Sequence, residues 1–199
     1  MKLTHPLSDG AVSLEKTIRA RRTVRHFAST PLNNEKFSQL LWAAQGITDE
    51  RGYLRAAPSA GALYPMDLYA VAGENGVTGL DAGVYRYEPE HHTLARIAEG
   101  DLRKEAARAS LYQMWMAEPP LQLVITAEYK RIVSKYGERG VRYAMIEAGH
   151  IGQNIFLQAH SLGLGAGIVG AFEDEAVIRA IQIPKTHQPL LIMPVGYRG

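Results

Sequence analysis

Apolar residues recur along the chain in two periods, and the changes of period divide it into elements. Phe37, Leu40, Leu41 and Ala44 fall at i, i+3, i+4 and i+7, one face of a helix that Pro31 and Asn33 open and Gly46 stops. Ser13 suits the N-cap of a shorter helix over residues 14–22, with Glu15 placed for the helix dipole. Residues 51–65 are irregular and rich in Gly, Ala, Pro and Ser, and a loop this long inside a domain is usually functional. Short strands are predicted over 67–72, 83–87 and 93–97, the last two joined by a hairpin connection at 89–92. Asp101 is placed to cap a polar helix over 102–110, and residues 121–126 form the clearest strand. The longest helix is predicted over 141–162. Its apolar and small positions, Ala144, Ala148, Ile151, Ile155 and Ala159, indicate burial on more than one side. A glycine-punctuated loop (163–172), a short acid-started helix and a final strand (190–198) complete the chain. Strands in a meander with helices before and after them argue for an α+β fold and against alternating βαβ units.

Composition narrows this little but excludes much. The 199 residues suit a single domain spanning 1–199, and 46% hydrophobic with 21% charged residues is a globular balance without a disordered character. Cysteine is absent, which removes disulfides, thiolate metal sites and a cysteine nucleophile. No apolar run has signal-peptide or membrane-spanning length. The expectation is therefore a soluble, cytoplasmic protein with no membrane partner.

The densest chemical feature is residues 19–27, where Arg19, Arg21, Arg22 and Arg25 cluster at the end of the first predicted helix. Guanidinium forks match phosphate oxygens and stay charged, so such a group can hold a phosphate dianion. A solvated basic face is the plainer reading. The net charge is only +2, so the cluster is local and nucleic-acid binding by general phosphate neutralisation is disfavoured. The seven histidines include no i,i+4 pair on a helix and no His-Glu-x-x-His arrangement, so no zinc site is expected. His150 and His160 lie on roughly one face of the long helix, where packing and hydrogen bonding are the expected roles. Gly163, Gly165 and Gly167 imitate a dinucleotide fingerprint but follow a helix instead of a strand. With no phosphate loop or nucleophile elbow present, redox chemistry would come from a bound cofactor that the protein positions.

Arg21-Arg22-Thr23-Val24-Arg25-His26-Phe27 resembles the N-terminal Arg-Arg-Ser/Thr-x-Arg-x-Phe motif of nitroreductase-like flavin oxidoreductases. Ala57-Pro58-Ser59-Ala60-Gly61-Ala62-Leu63-Tyr64-Pro65 resembles the second flavin segment, in the form typical of the branch named after SagB and the thiazoline/oxazoline oxidases. Glu147-Ala148-Gly149-His150-Ile151-Gly152-Gln153-Asn154 is similar to that branch's helix. Residues 163–172 and Val195-Gly196-Tyr197-Arg198 resemble the later segments, in the family's order.

The resemblance implies a nitroreductase-like fold and FMN bound at the interface of an intertwined homodimer. Arg21 and Arg198 would contact the phosphate, with Arg22 and Thr23 beside it, and Arg25 would lie near the pyrimidine edge. Pro58, Ser59 and Gly61 would line the ring from the other subunit. Ile168, Val169, Gly170 and Ala171 would offer N–H groups to its N5 and O4 edge, with Gln113 as a side-chain contact. Gly170 stands where many nitroreductases carry Glu. Lys135-Tyr136 resembles the Lys-Tyr pair that azoline oxidases use as a base, although a Lys-Tyr pair is also common on an exposed helix. A ping-pong oxidoreductase is thus expected, acting on a nitro or quinone acceptor with NAD(P)H, or on a peptide azoline with oxygen. A flavin-binding or scaffold subunit without turnover is the reading of another class.

Overall fold

The computed structural model describes residues 1–199. Six strands, β1 (Met66–Ala72), β2 (Gly83–Glu88), β3 (Thr93–Glu99), β4 (Leu121–Ala127), β5 (Gly165–Ala166) and β6 (Gln188–Gly196), form one sheet in the order β3-β2-β1-β4-β6-β5. Every neighbouring pair is antiparallel. Six helices accompany it: α1 (Leu14–Ala20), α2 (Asn34–Gln45), α3 (Arg103–Ala109), α4 (Lys130–Tyr136), α5 (Arg139–Ser161) and α6 (Asp174–Ala180). This is the expected α+β arrangement.

Alternation along the strands sorts side chains onto two faces. Met66, Leu68, Ala70 and Ala72 of β1 and Leu121, Leu123 and Ile125 of β4 enter a core that α2 and α5 cover. Tyr69, Val71 and Val124 enter a smaller one shared with α3 and α6. All seven residues of β4 are buried, including the polar Gln122 and Thr126, which explains why apolar Leu123, Val124 and Ile125 follow one another without alternation. Capping follows the sequence: Ser13 accepts from the Lys16 N–H and Asn33 from the Lys36 N–H. Asp101 accepts the Arg103 N–H from just outside α3, and its carboxylate also grips the Arg103 guanidinium.

Three differences from the sequence-based elements bear on the site. Helix α1 ends at Ala20, two residues short of the expected boundary, because Arg21 is already extended (φ −54°, ψ 129°). The chain then runs beside the sheet edge: Thr23 bridges Ala166, Phe27 bridges Arg198 and the Ala28 N–H donates to Tyr197 O. Pairing with the sheet thus outweighs one further turn of a marginal helix. Residues 165–166, expected as loop, form the edge strand β5. Helix α4 has no counterpart among the predicted elements, since its short polar sequence carries only one fully buried residue, Ile132.

Glycines permit the close docking of the 21–27 segment. A Cβ on Gly165 would lie 2.8 Å from Val24 Cγ2, and one on Gly167 would lie 2.8 Å from the Trp115 ring and 2.9 Å from Val24 O. Gly167→Ala should therefore cost about 1–3 kcal/mol by overpacking, read as a lower urea midpoint with unchanged slope. An unchanged midpoint would show that the segment is loosely held.

Candidate functional site

The expected site residues fall into two groups, both bordering α5. The first is cationic. The Arg21 guanidinium lies 4.8 Å from the centroid of the Phe156 ring on α5, and Arg198 Nη2 is 3.1 Å from His160 Nδ1. Arg25 sits 5.9 Å from the centroid of the Trp115 ring. Arg22 turns back instead, donating to the Arg19 and Arg21 carbonyls at 2.9 and 2.7 Å, where it caps the end of α1. None of these four arginines forms an ion pair, whereas Arg55, Arg86, Arg103 and Arg131 each do. Of the two histidines expected to pack or bond, His160 meets Arg198 and His150 is exposed.

Beside this cluster runs a row of free donors. Val169 is bonded both ways to Ile192, so its neighbours point their N–H groups away from the sheet. The N–H groups of Ile168 and Gly170 accordingly find no carbonyl acceptor within the chain, and that of Ala171, beyond the bridge, finds none either. Gln113 Nε2 donates to Ser110 O and Ala171 O at 3.0 and 3.1 Å, fixing the far end of this loop. Thr23 contributes through its backbone bridge to Ala166. Guanidiniums without carboxylates next to unfilled N–H groups suit an anion joined to a ring with acceptor atoms.

The second group lies around the 57–65 loop. Gly61 adopts the left-handed conformation (φ +63°), and a Cβ there would meet Tyr136 Oη at 2.6 Å and Lys135 Nζ at 3.0 Å. Lys135 and Tyr136, at the end of α4, thus close directly over this glycine. The ammonium lies 5.4 Å from the Tyr136 ring centroid, and that ring meets Tyr143 of α5 edge to face. Pro58 is exposed, and Ser59 Oγ accepts the Tyr64 N–H at 2.9 Å.

Beneath Ser59 lies a residue the site assignment from sequence passed over. Glu147 of α5 is only 1% exposed. Its Oε1 accepts from Gln45 Nε2 at 3.5 Å, while its Oε2 has no partner. Burial raises the carboxyl pKa to about 7, against the lowering effects of Ser59, Gln45 and Arg55. The signal was present in the sequence: Glu147 falls on the apolar stripe between Ala144, Ala148 and Ile151, where a charged residue is out of place.

Asp67, Glu128 and His187 bring donor atoms within 4.8 Å of one another. Arg131 bridges the two carboxylates at 2.8 and 2.7 Å, and Tyr69 Oη lies 2.7 Å from His187 Nδ1. A guanidinium already stands where a metal cation would.

Comparison with known proteins gives the family of the chain that carries this fold and these two groups. The Nitroreductase family model matches residues 18–197, and the chain belongs to that family. It is 44% identical over 185 residues, 93% of this chain and 91% of the relative, to "Putative nitroreductase MJ1384" of Methanocaldococcus jannaschii. It is 27% identical over 175 residues to the microcin B17-processing protein McbC of Escherichia coli, covering 83% of this chain and 62% of McbC. The crystal structure of a "putative nitroreductase" from Ralstonia eutropha JMP134 superposes with a TM-score of 0.85 at 28% identity, over 100% of this chain and 89% of that one. No helix is long and apolar enough to cross a membrane.

Glu147 makes stability depend on pH. Its folded pKa of about 7 lies above its ordinary 4.5, so the folded state binds the proton more tightly. The resulting stabilisation is complete below pH 4.5 and is lost as pH rises to 7, on the order of 3 kcal/mol. Glu147→Gln should flatten that decline in urea midpoints measured at pH 5 and pH 8. An undiminished decline would place the titration elsewhere.

Proposed function

We propose that the chain is an FMN-dependent oxidoreductase that serves donor and acceptor in turn at one site, by a ping-pong mechanism. The observation that carries this reading is the unpaired cluster of Arg21, Arg25 and Arg198 beside the free N–H groups of Ile168, Gly170 and Ala171. When bound, FMN supplies hydride acceptance and donation at N5. Arg21 and Arg198 bind the phosphate, with Thr23 beside them and Arg22 holding the helix end that presents Arg21. Arg25 stands for the pyrimidine edge, where a cation favours the negative charge gained on reduction. The 168–171 loop and Gln113 orient the opposite edge. Pro58, Ser59 and Gly61 serve the ring face in a homodimer, across its interface. Exposed Leu14 and Ile18 on α1 and Met145 and Ile146 on α5 support such an interface.

Purified protein should carry a flavin spectrum or take up added FMN; a protein that does neither would be incompatible with this function. Arg21→Ala should weaken FMN binding about tenfold or more, the loss of one charge-assisted contact. Arg25→Ala should also lower the flavin's midpoint potential. Equal loss of fold stability in both, without these effects, would remove the division of roles.

Within this class the closure of Lys135 and Tyr136 over Gly61 favours an azoline ring on a peptide as substrate, with oxygen as final acceptor. Relatedness to McbC, named for microcin B17 processing, supports the same choice. Lys135 and Tyr136 would then take the proton from the ring as it becomes aromatic. Gly170, in place of a nicotinamide-side Glu, is consistent with it. Lys135→Ala should abolish azoline oxidation while FMN binding persists. Rapid bleaching of the bound flavin by NAD(P)H in stopped flow would instead favour a nitro or quinone reductase.

A further inference from the structure

We propose that Glu147 is a positioning residue that controls, by gaining or losing a proton, whether the Ser59 hydroxyl is turned inward to the protein or outward to the ring face. This rests on the flavin reading above, because Ser59 belongs to the loop assigned to that face.

Two buried oxygens lack partners here: Glu147 Oε2 and Gln45 Oε1. Both residues are 1% exposed, and the Gln45 amide already donates to Glu147 Oε1. A proton on Oε2 gives Glu147 a donor for the orphaned amide oxygen, so the acid and the amide pair through two reciprocal bonds. One proton satisfies both orphans, which no arrangement of the ionised carboxylate does.

Ser59 is the partner that responds. Its Oγ is pinned by the Tyr64 N–H, so the oxygen stays and only the hydroxyl hydrogen can swing. An ionised Glu147 draws that hydrogen inward as a charge-assisted bond. A protonated Glu147, occupied with Gln45, releases it to the exposed side of the loop.

The surroundings leave this choice to the carboxyl itself. From the loop, Arg55 acts on Glu147, but its guanidinium is engaged by Glu90 at 2.7 Å and lies over the Tyr64 ring. From α2 the facing group is the neutral Gln45. From α4, Lys135 and Tyr136 stand at Gly61, two residues beyond Ser59. On α5 itself, Tyr143 packs against Tyr136 and His150 is exposed. Burial places the titration near neutral pH, within the range in which an enzyme works.

Two measurements test the proposal. In the apoprotein, infrared difference spectra across pH 5–9 should show a protonated-carboxyl band that disappears near neutrality and is missing in Glu147→Gln. In the FMN-loaded protein, the visible spectrum of the oxidised flavin, whose ring has no proton to lose near neutrality, should shift with the same midpoint. That shift should vanish in Glu147→Gln, whose amide keeps the Gln45 pairing, and in Ser59→Ala, which leaves the carboxyl band in place. A spectral shift that persists in either variant, or a loaded wild type without one, overturns the proposal. Loss of the infrared band from the wild type overturns it as well. Failure of the wild type to bind FMN while the band titrates normally defeats the flavin reading, and the role of Ser59 with it. If Glu147→Gln does not fold, Ser59→Ala alone decides.

Discussion

Everything in this molecule is arranged around the close seating of α5 on the sheet. Ala144, Ala148, Ile151, Ile155 and Ala159 bury one stripe of the helix against the larger core, not the several sides expected from sequence, and Met145 and Ile146 stay exposed. At Gly152 the helix comes so near the sheet that a Cβ would already touch Leu191, Met193 and Ile168 at 3.4–3.8 Å. A bulkier stripe would lift the helix, and with it every group it supports. Phe156 carries Arg21, His160 meets Arg198, Asn154 donates to Ala56 O and Glu147 underlies Ser59. The two halves of the site are thus held at different stations along one rigid rod.

Electrostatics divides the same helix. Toward its C-terminal end stand cations with no carboxylate to neutralise them, exposed enough that water covers their charge until an anion arrives. Toward its middle stands a carboxyl with almost no water, whose charged form burial disfavours. The first arrangement favours binding of a permanent anion; the second favours a proton that comes and goes. Each follows from depth in the fold, since an exposed Glu147 would ionise well below neutrality and a buried Arg cluster would cost far too much to assemble.

Much of this was legible beforehand. The period of Phe37, Leu40, Leu41 and Ala44 marked α2, and Leu123, Val124 and Ile125 marked β4 as the clearest strand, because burial imposes patterns that a sequence displays directly. Short elements escaped: β5 has two residues and α4 one fully buried side chain, so neither has a period to read. The arginine cluster was visible as composition but its geometry was not. Arg22 faces its own helix end, and Arg21 is extended, because pairing with Ala166 and Tyr197 decides the backbone there. Glu147 sat in plain view on an apolar stripe, yet only its unpartnered oxygen distinguishes it from a charge that finds water.

The sequence by itself determined which of the longer segments become helices and strands, the local excess of arginines near residue 21, and the small residues that permit close backbone approach. These are local properties, written in side-chain volume, charge and period. Tertiary structure alone decided that Arg198 joins Arg21 from the other end of the chain, that Lys135 and Tyr136 close over Gly61, and that Glu147 meets Gln45 out of water. Those outcomes depend on which distant segments share a surface. Adjacency and desolvation arise only when the sheet, α2 and α5 pack together.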